Sequence, residues 1–443
     1  MKTTLFVLAF VGVVCLQVVA SGSEVVSVDD IPAVGLDEAL AEALDDNLGL
    51  QAAGFDRERA TSRIGEARGN LLPNLSATAG YTRYSDPNTV LPIHEAGVFP
   101  PLDDDIYEGA LSLQMPLFDG GRSRAGLMAA RAGADAATAD LDQARQATIA
   151  AVSGLFIQAR RLEDSLELIQ ARVAALEVRR EETAELVSAG RAAPGDLSLL
   201  DSSLDGARAD SLAVESALKE LAWGLAGWLG RAVPVYPKSE PRPAATGPVA
   251  DIEDRPSPAI AGAEARLRQS RASAEAAKRA AWPELAAFGT LRSRAGDDLS
   301  FKEEWAVGVA VRMPLYTGGG QKASVQGARA TQLAADRRLA AVRQETTIGM
   351  ELATHRWHSA EGQLGLIRAS AEAKARAVDA QVELHEAGRL PLSTLLADEN
   401  ELLALKIRSA GLRNEVRLAR IEFHKSAGTL TPALALEIVE GER

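Results

Sequence analysis

The sequence is poor in cysteine, in surplus positive charge and in long apolar runs, and each shortage excludes something. Its one cysteine, Cys15, lies near the amino terminus, so disulfides and thiol chemistry play no part in the rest of the chain. Acidic residues outnumber basic ones, 61 against 48, for a formal net charge of −13. That balance argues against nucleic acid as a partner, because phosphate backbones are met by basic faces. Beyond residue 20 no apolar stretch reaches the ~18 residues of a membrane-crossing helix. A crossing must therefore use strands closed into a barrel, since hydrocarbon leaves every unpaired backbone group unsatisfied.

Reaction chemistry is missing as well. No nucleophile stands beside a base, no pair of carboxylates occupies a defined frame, and no cofactor fingerprint is present. His355 and His358 lie three residues apart, yet no acidic or sulfur residue completes a metal-binding pattern around them. The glycine triplet at 318–320 lacks the Lys-Ser or Lys-Thr of a phosphate loop and reads as a turn. The sequence predicts no enzyme, no cofactor and no metal site.

What the chain does have is apolar substance, 47% of 443 residues, enough for a large core. Met1 and Lys2 lead into an apolar run over 5–16 that ends in Val18-Val19-Ala20. A basic start, an apolar middle and a small-residue end read as a secretory signal peptide over 1–20, with an uncleaved anchor as the alternative. Val14 precedes Cys15 where lipoprotein processing wants Gly, Ala or Ser, so lipidation is not expected.

The dominant feature is a repeat. "MPLFDGG" occupies 115–121 and "MPLYTGG" occupies 313–319. Pro116 and Pro314, Gly190 and Gly388, and Leu197 and Leu395 share the offset 198, which a duplication explains. Each half reads as helix, two strands, long helix, turn and helix. The predicted helices span 36–72, 120–189 and a last one to 230, then 258–282, 320–387 and a last one to 430. Pro73 and Pro283 precede the strand pairs and are 210 apart. The extra length falls between the first two strands, in a predicted loop over 85–106. The expected domains are the signal over 1–20, a first repeat over 36–232, a proline-rich connector over 233–257, a second repeat over 258–430 and a tail over 431–443.

The strand segments alternate. "WAVGVAVRM" places Trp305, Val307, Val309 and Val311 on one face, and "YEGALSLQM" places Leu111 and Leu113 opposite Glu108, Ala110, Ser112 and Gln114. Apolar outside and polar inside is the pattern of a membrane barrel, although a soluble sheet packed on a helix alternates too. Membrane barrels begin at about eight strands, so four per chain would need several chains.

A helix over 120–189 would be roughly 105 Å long and needs a partner along its length. Val152, Ala159, Leu166 and Val173 recur every seven residues, with Leu155, Leu162, Ile169 and Leu176 three places on, a coiled-coil frame. The offset of 198 reproduces it as Met350, Trp357, Leu364 and Ala371 with Ala353, Ala360 and Ile367.

These tandem units, with "LLPNL" and "MPLFDGG" flanking the first strand pair and "EAGRLPLSTLLADENELL" after the second long helix, resemble the TolC-like outer-membrane efflux proteins over about 36–430. The resemblance implies a mainly α fold with a small β part. Tandem-duplicated coiled-coil helices would form an α-helical barrel, and each chain would give four strands to a trimeric twelve-stranded membrane β-barrel. It implies a cell outer-membrane protein with a large periplasmic portion, serving as a passive exit duct. The implied partners are two further copies of the chain, a periplasmic adaptor, an inner-membrane efflux pump or ABC exporter, and outer-membrane lipid.

In that frame Leu111, Leu113, Trp305, Val307, Val309 and Val311 would face lipid, and Pro73, Pro116, Pro283 and Pro314 would mark strand–helix joints. Gly190-Arg191 and Gly388-Arg389 would be tip turns that meet the adaptor, and the connector would lie in a belt around the tunnel. Asp196, six past the first turn glycine, matches the acidic tip constriction of the family. Its counterpart Thr394 departs from that pattern, leaving Asp398 and Arg389 as further aperture candidates. A soluble periplasmic coiled-coil adaptor or scaffold is the rival reading, disfavoured by the apolar strand faces and the duplication.

Overall fold

The computed structural model describes residues 31–91, 97, 99–238 and 257–441. The expected signal segment and most of the connector lie outside them. The elements run β1 (Ala33–Val34), α1 (Leu36–Asp46), α2 (Leu48–Gly69), β2 (Asn74–Thr89), β3 (Leu102–Phe118), α3 (Arg122–Ser188), α4 (Pro194–Leu229) and β4 (Tyr236–Pro237). The second half follows as α5 (Pro258–Arg279), β5 (Glu284–Ala295), β6 (Lys302–Arg312), α6 (Gly320–Glu386), α7 (Leu392–Ala427) and α8 (Pro432–Glu440). Duplication is kept to the residue in the helices: α2 and α5 have 22 each, α3 and α6 have 67 each, and α4 and α7 have 36 each.

The helices start and stop on local chemistry. Asp119 accepts from the backbone N–H of Gly121 and Ser123 at 2.9 and 2.7 Å, filling donors that the first turn of α3 cannot pair internally. Partial burial opposes ionisation of that carboxyl, but the Ser123 and Gly121 donors and Arg122 outweigh it and hold Asp119 below its ordinary range. At the lower ends Gly190 and Gly388 sit at φ 68 and 72, a left-handed stop that glycine adopts without Cβ strain. Pro194 then opens α4, where its missing N–H costs nothing.

Four strands form one antiparallel sheet in the order β2-β3-β5-β6. Rows across it read Leu75–Leu113–Gly289–Val307 and Ala77–Leu111–Leu291–Trp305. Partners in register share a face, so all four strands offer one continuous apolar surface. The opposite surface carries Glu108, Arg292, Arg294 and Glu304, with Arg294 donating to Glu108 at 2.6 Å and Arg292 3.1 Å from the same carboxylate.

The main core is a belt at mid-height. Leu36 and Leu40 of α1, Val152 and Phe156 of α3, Leu225 and Leu229 of α4, Ile421 of α7 and Ile438 of α8 are buried together there. The seam expected in α3 is inward: Val152, Ala159, Leu162, Ile169 and Leu176 are buried.

Two sequence expectations needed correction, and the tail contains a helix. The helix expected over 36–72 breaks at Asn47, whose side chain accepts from the Leu50 N–H at 3.0 Å and donates to the Trp228 carbonyl at 3.1 Å. Asparagine closes one helix and caps the next. Much of the loop expected over 85–106 is strand: pairing resumes past a register shift after Arg83, with Asn88 opposite Asp103 and Thr89 opposite Leu102. A bulge restores a ladder after side-chain alternation has failed, so period alone misses it. The residues after 430 include α8, with Pro432 in its first turn and the Thr431 hydroxyl accepting from the Leu434 N–H at 3.3 Å.

Candidate functional site

The helices form a wall one layer thick. In its upper half α3 packs between α2 and α5, and in its lower half between α4 and α7; α6 packs on α5 and α7. The wall therefore has two open lateral edges, α6 on one side and α2 with α4 on the other. They continue the two sheet edges, β6 and β2, that have no strand partner among the described residues. Both helical edges expose large apolar side chains, Phe55 and Trp223 on one and Leu333, Ile348 and Leu366 on the other. Isolated exposed leucines are ordinary, but a row of them along an edge marks a surface built to be covered.

On the sheet, Leu111, Leu113, Trp305, Val307, Val309 and Val311 share the apolar face, with Trp305 76% and Val309 61% exposed. Of the four prolines at the strand–helix transitions, Pro73 and Pro283 lie just before β2 and β5. Pro116 is still paired, opposite Ala286 at the irregularity that precedes Phe118, while Pro314 lies past the end of β6. On the polar side of the first transition a hollow of about 720 Å3 is lined by Arg63, Glu66, Asn70, Asn74, Gln114, Arg122 and Glu284.

At the far end the two turns are copies. The Arg191 N–H donates to the Leu186 carbonyl and the Arg389 N–H to the Leu384 carbonyl, both at 2.8 Å. Arg191 and Arg389 are exposed. Asp196 lies in the first turn of α4, where the helix dipole favours an acid. Asp398 accepts from Lys374 at 2.6 Å within the α6/α7 pair. The aperture candidates are thus not gathered into one cluster.

Glu399, which the sequence reading did not single out, carries an ion-pair contact between the two coils. Arg179 of α3 donates to both its oxygens at 2.9 Å, and Arg172 of α3 pairs with it as well. Burial resists ionisation of Glu399, but these two arginines overcome it and hold the carboxyl below its ordinary range. A usable signal existed: the offset of 198 matches Glu399 to Asp201, and Arg172 and Arg179 are spaced by one heptad. In the first coil Asp201 binds Arg180 instead, so the second copy reaches across where the first reaches back.

A sheet with one apolar face, continued by a one-layer helical wall with open edges, has the form of one sector of a channel. The model of the family described as "Outer membrane efflux protein" matches residues 39–231 and 255–429. The chain belongs to that family: it is the outer-membrane channel component of a tripartite efflux system, a transport protein and not an enzyme. Channels of this family are trimeric and lie in the outer membrane.

Solved structures show the same fold. The outer membrane protein VceC of Vibrio cholerae is 17% identical with a TM-score of 0.78, covering 89% of this chain and 96% of that one. The CmeC outer membrane channel of Campylobacter jejuni is 16% identical with a TM-score of 0.77, covering 92% and 90%. The open state of the MtrE outer membrane channel of Neisseria gonorrhoeae is 22% identical with a TM-score of 0.73, covering 89% and 91%. Among curated proteins none matches.

Proposed function

We propose that three copies of this chain close edge to edge, β6 against a neighbouring β2 and α6 against a neighbouring α2 and α4, into a passive exit duct. One observation carries the reading: sheet and wall are open on the same two sides, and the apolar sheet face is continuous across all four strands. Twelve strands then close the barrel that four cannot, and the row from Leu111 to Val311 meets lipid. The polar strand face and the hollow beside Arg122 and Glu284 line the passage.

In this reading the chain is exported by a cleaved signal over 1–20, the prolines turn strand into helix at the membrane rim, and 233–257 completes the belt. The turns at Gly190-Arg191 and Gly388-Arg389 receive a periplasmic adaptor that links the duct to an inner-membrane pump. Asp196, Asp398 and Arg389 stand near the aperture, with Glu399 as the latch between the coils. Opening is a population shift, driven by a partner that binds the unlatched tip better than the latched one.

Planar-bilayer recording of the purified protein tests this. Wild type forms discrete channels, and Val309→Arg lowers the yield of trimer, because a mid-bilayer arginine costs about 2 to 4 kcal/mol. A monomer that washes off membranes in carbonate and never conducts would sink the duct.

A further inference from the structure

The strand–helix transitions have two sides, and the sides differ in charge. On the polar side the hollow beside Arg122 and Glu284 mixes signs, with Arg63 and Glu66 in its lining as well. A second groove, of about 690 Å3, runs between the end of α5 and the start of α6. Lys278, Leu315, Tyr316, Thr317, Lys322 and Val325 line it, and among the described residues its lining holds no acid. Ala276 of α5 borders the polar hollow, together with Asn74 and Gln114 of the polar sheet face, whereas Lys278 borders the groove. Residues two apart lie on nearly opposite sides of a helix, so the groove opens on the side of the apolar sheet face.

Along that side the residues come in three kinds, in a fixed order. Val307, Val309 and Val311 end the apolar face of β6. Leu315 and Tyr316 follow, 88% and 89% exposed, with Trp282, 57% exposed, one turn on from Lys278. Lys278 and Lys322 come last, in the end turn of α5 and the first turn of α6. Apolar, aromatic, cationic is also the order of hydrocarbon, interface and phosphate in a membrane leaflet. Duplication keeps that order: Arg68 and Arg124 match Lys278 and Lys322 at the offsets 210 and 198, and Leu117 and Phe118 match Leu315 and Tyr316. All four cations are exposed. One place differs, because Asp119 of the first joint becomes Thr317, whose hydroxyl accepts from the Gln321 N–H at 3.2 Å. The acid nearest to Lys278 is Glu275 at 3.5 Å, shared with Arg279 at 2.9 Å, and exposed pairs of this kind hold weakly.

Resting on the duct reading, we infer that the α5/α6 groove binds an anionic phospholipid of the periplasmic leaflet. The headgroup phosphate lies between Lys278 and Lys322, and an acyl chain runs past Leu315 and Val311 onto the strand face. The groove continues the surface that the duct turns to lipid, so hydrocarbon already reaches its upper end. Lysine stems cover apolar surface while their ammonium groups extend to the phosphate. One such lipid on each copy fixes the height at which barrel gives way to wall.

The test uses the full-length trimer in detergent with phosphatidylglycerol carrying a fluorescent acyl chain, and the matching phosphatidylcholine as the lipid without net charge. Binding is read by anisotropy. Phosphatidylglycerol is expected to bind more tightly, and Lys278→Gln with Lys322→Gln to weaken it about tenfold. Thr317→Asp copies the acid of the first joint and suits a helix start, so it should keep the fold while weakening binding about fivefold. Arg268→Gln with Lys425→Gln removes the same charge elsewhere and should leave affinity unchanged. Unchanged affinity in the groove variants overturns the inference, as does equal affinity for the two lipids. An equal loss in the Arg268 and Lys425 pair overturns it by showing a general charge effect, and full displacement by inorganic phosphate at matched ionic strength does so by leaving a small-ion site only. Conductance keeps the two readings apart: trimers that conduct normally while the lipids fail to discriminate sink the groove and spare the duct.

Discussion

The two long helices have the same length and descend from one ancestor, yet α3 buries 18 of its residues and α6 five. The difference is a matter of neighbours. α3 is enclosed by α2, α4, α5, α7 and the belt, while α6 stands at the edge of the wall. It reaches the seam near the tip as well. Leu176 and Leu200 are buried together with Leu392 and Leu396 of α7, while the places in the second coil that match Leu176 and Leu200 hold Lys374 and Asp398, joined as an ion pair. An apolar contact resists water, whereas an ion pair can exchange its partner for water at little net cost. The first coil's own seam at this height is apolar and the second's is ionic, and the two coils are joined through Leu392, Leu396 and Glu399 of α7.

The sharpest break of this asymmetry lies in the belt. Phe156→Ala in α3 is expected to cost about 3 to 5 kcal/mol in chemical denaturation, while Leu366→Ala on the exposed face of α6 should cost far less in the unassembled chain. Equal losses would mean that the two helices are equally anchored.

Next comes the latch. Glu399→Gln should loosen the tip by about 2 kcal/mol, a value reduced from that of a fully buried pair because the groups are partly solvated, and raise resting conductance. Asp201→Asn, the same change in the first coil, should leave it unaltered. The latch also has a pH dependence of fixed sign. Because the folded Glu399 carboxyl lies below the ordinary 4.5, its contribution is fully present above that value and is lost as pH falls through the lowered one. Resting conductance should rise on acidification in that window, and Glu399→Gln should flatten the profile.

A smaller effect follows from making the second seam like the first. Lys374→Leu combined with Asp398→Leu is expected to raise the unfolding midpoint modestly, since replacing a paired charge by packed leucine is neutral to stabilising. A fall in midpoint would show that the ion pair anchors the coil.

The smallest concerns His424 in the belt. Burial, then Arg420, hold its imidazole below the ordinary 6.5, against the opposing pull of Glu437. Folding therefore disfavours its protonated form. The penalty is absent above pH 6.5, grows as pH falls from there to the depressed value and is constant below it, so His424→Gln should weaken acid destabilisation in thermal melts.

What was legible in the sequence was whatever repeats. The heptads ending at Leu176, the alternation of Val307, Val309 and Val311, and the shared offset of the turn glycines all report a regular backbone, so the long helices and the strands β3 and β6 could be read directly. Single events that interrupt a period were not legible. Asn47 splits a helix with one side chain, and the shift after Arg83 restores a ladder out of step. Glu399 was hidden for a different reason: its role depends on which neighbour it turns to, and Asp201 at the same place in the first copy turns the other way.

The equal helix lengths have a consequence of their own. Two coils of one length, repeated around a ring, end in one plane, so the wall serves as a gauge for the gap that it spans. Substitutions along it change stability or affinity, but an added turn in α3 alone would lift one coil's end out of that plane by about 5 Å. Only a matched change in α3, α4, α6 and α7 preserves a level rim. Length is the property of this duct that single mutations cannot adjust.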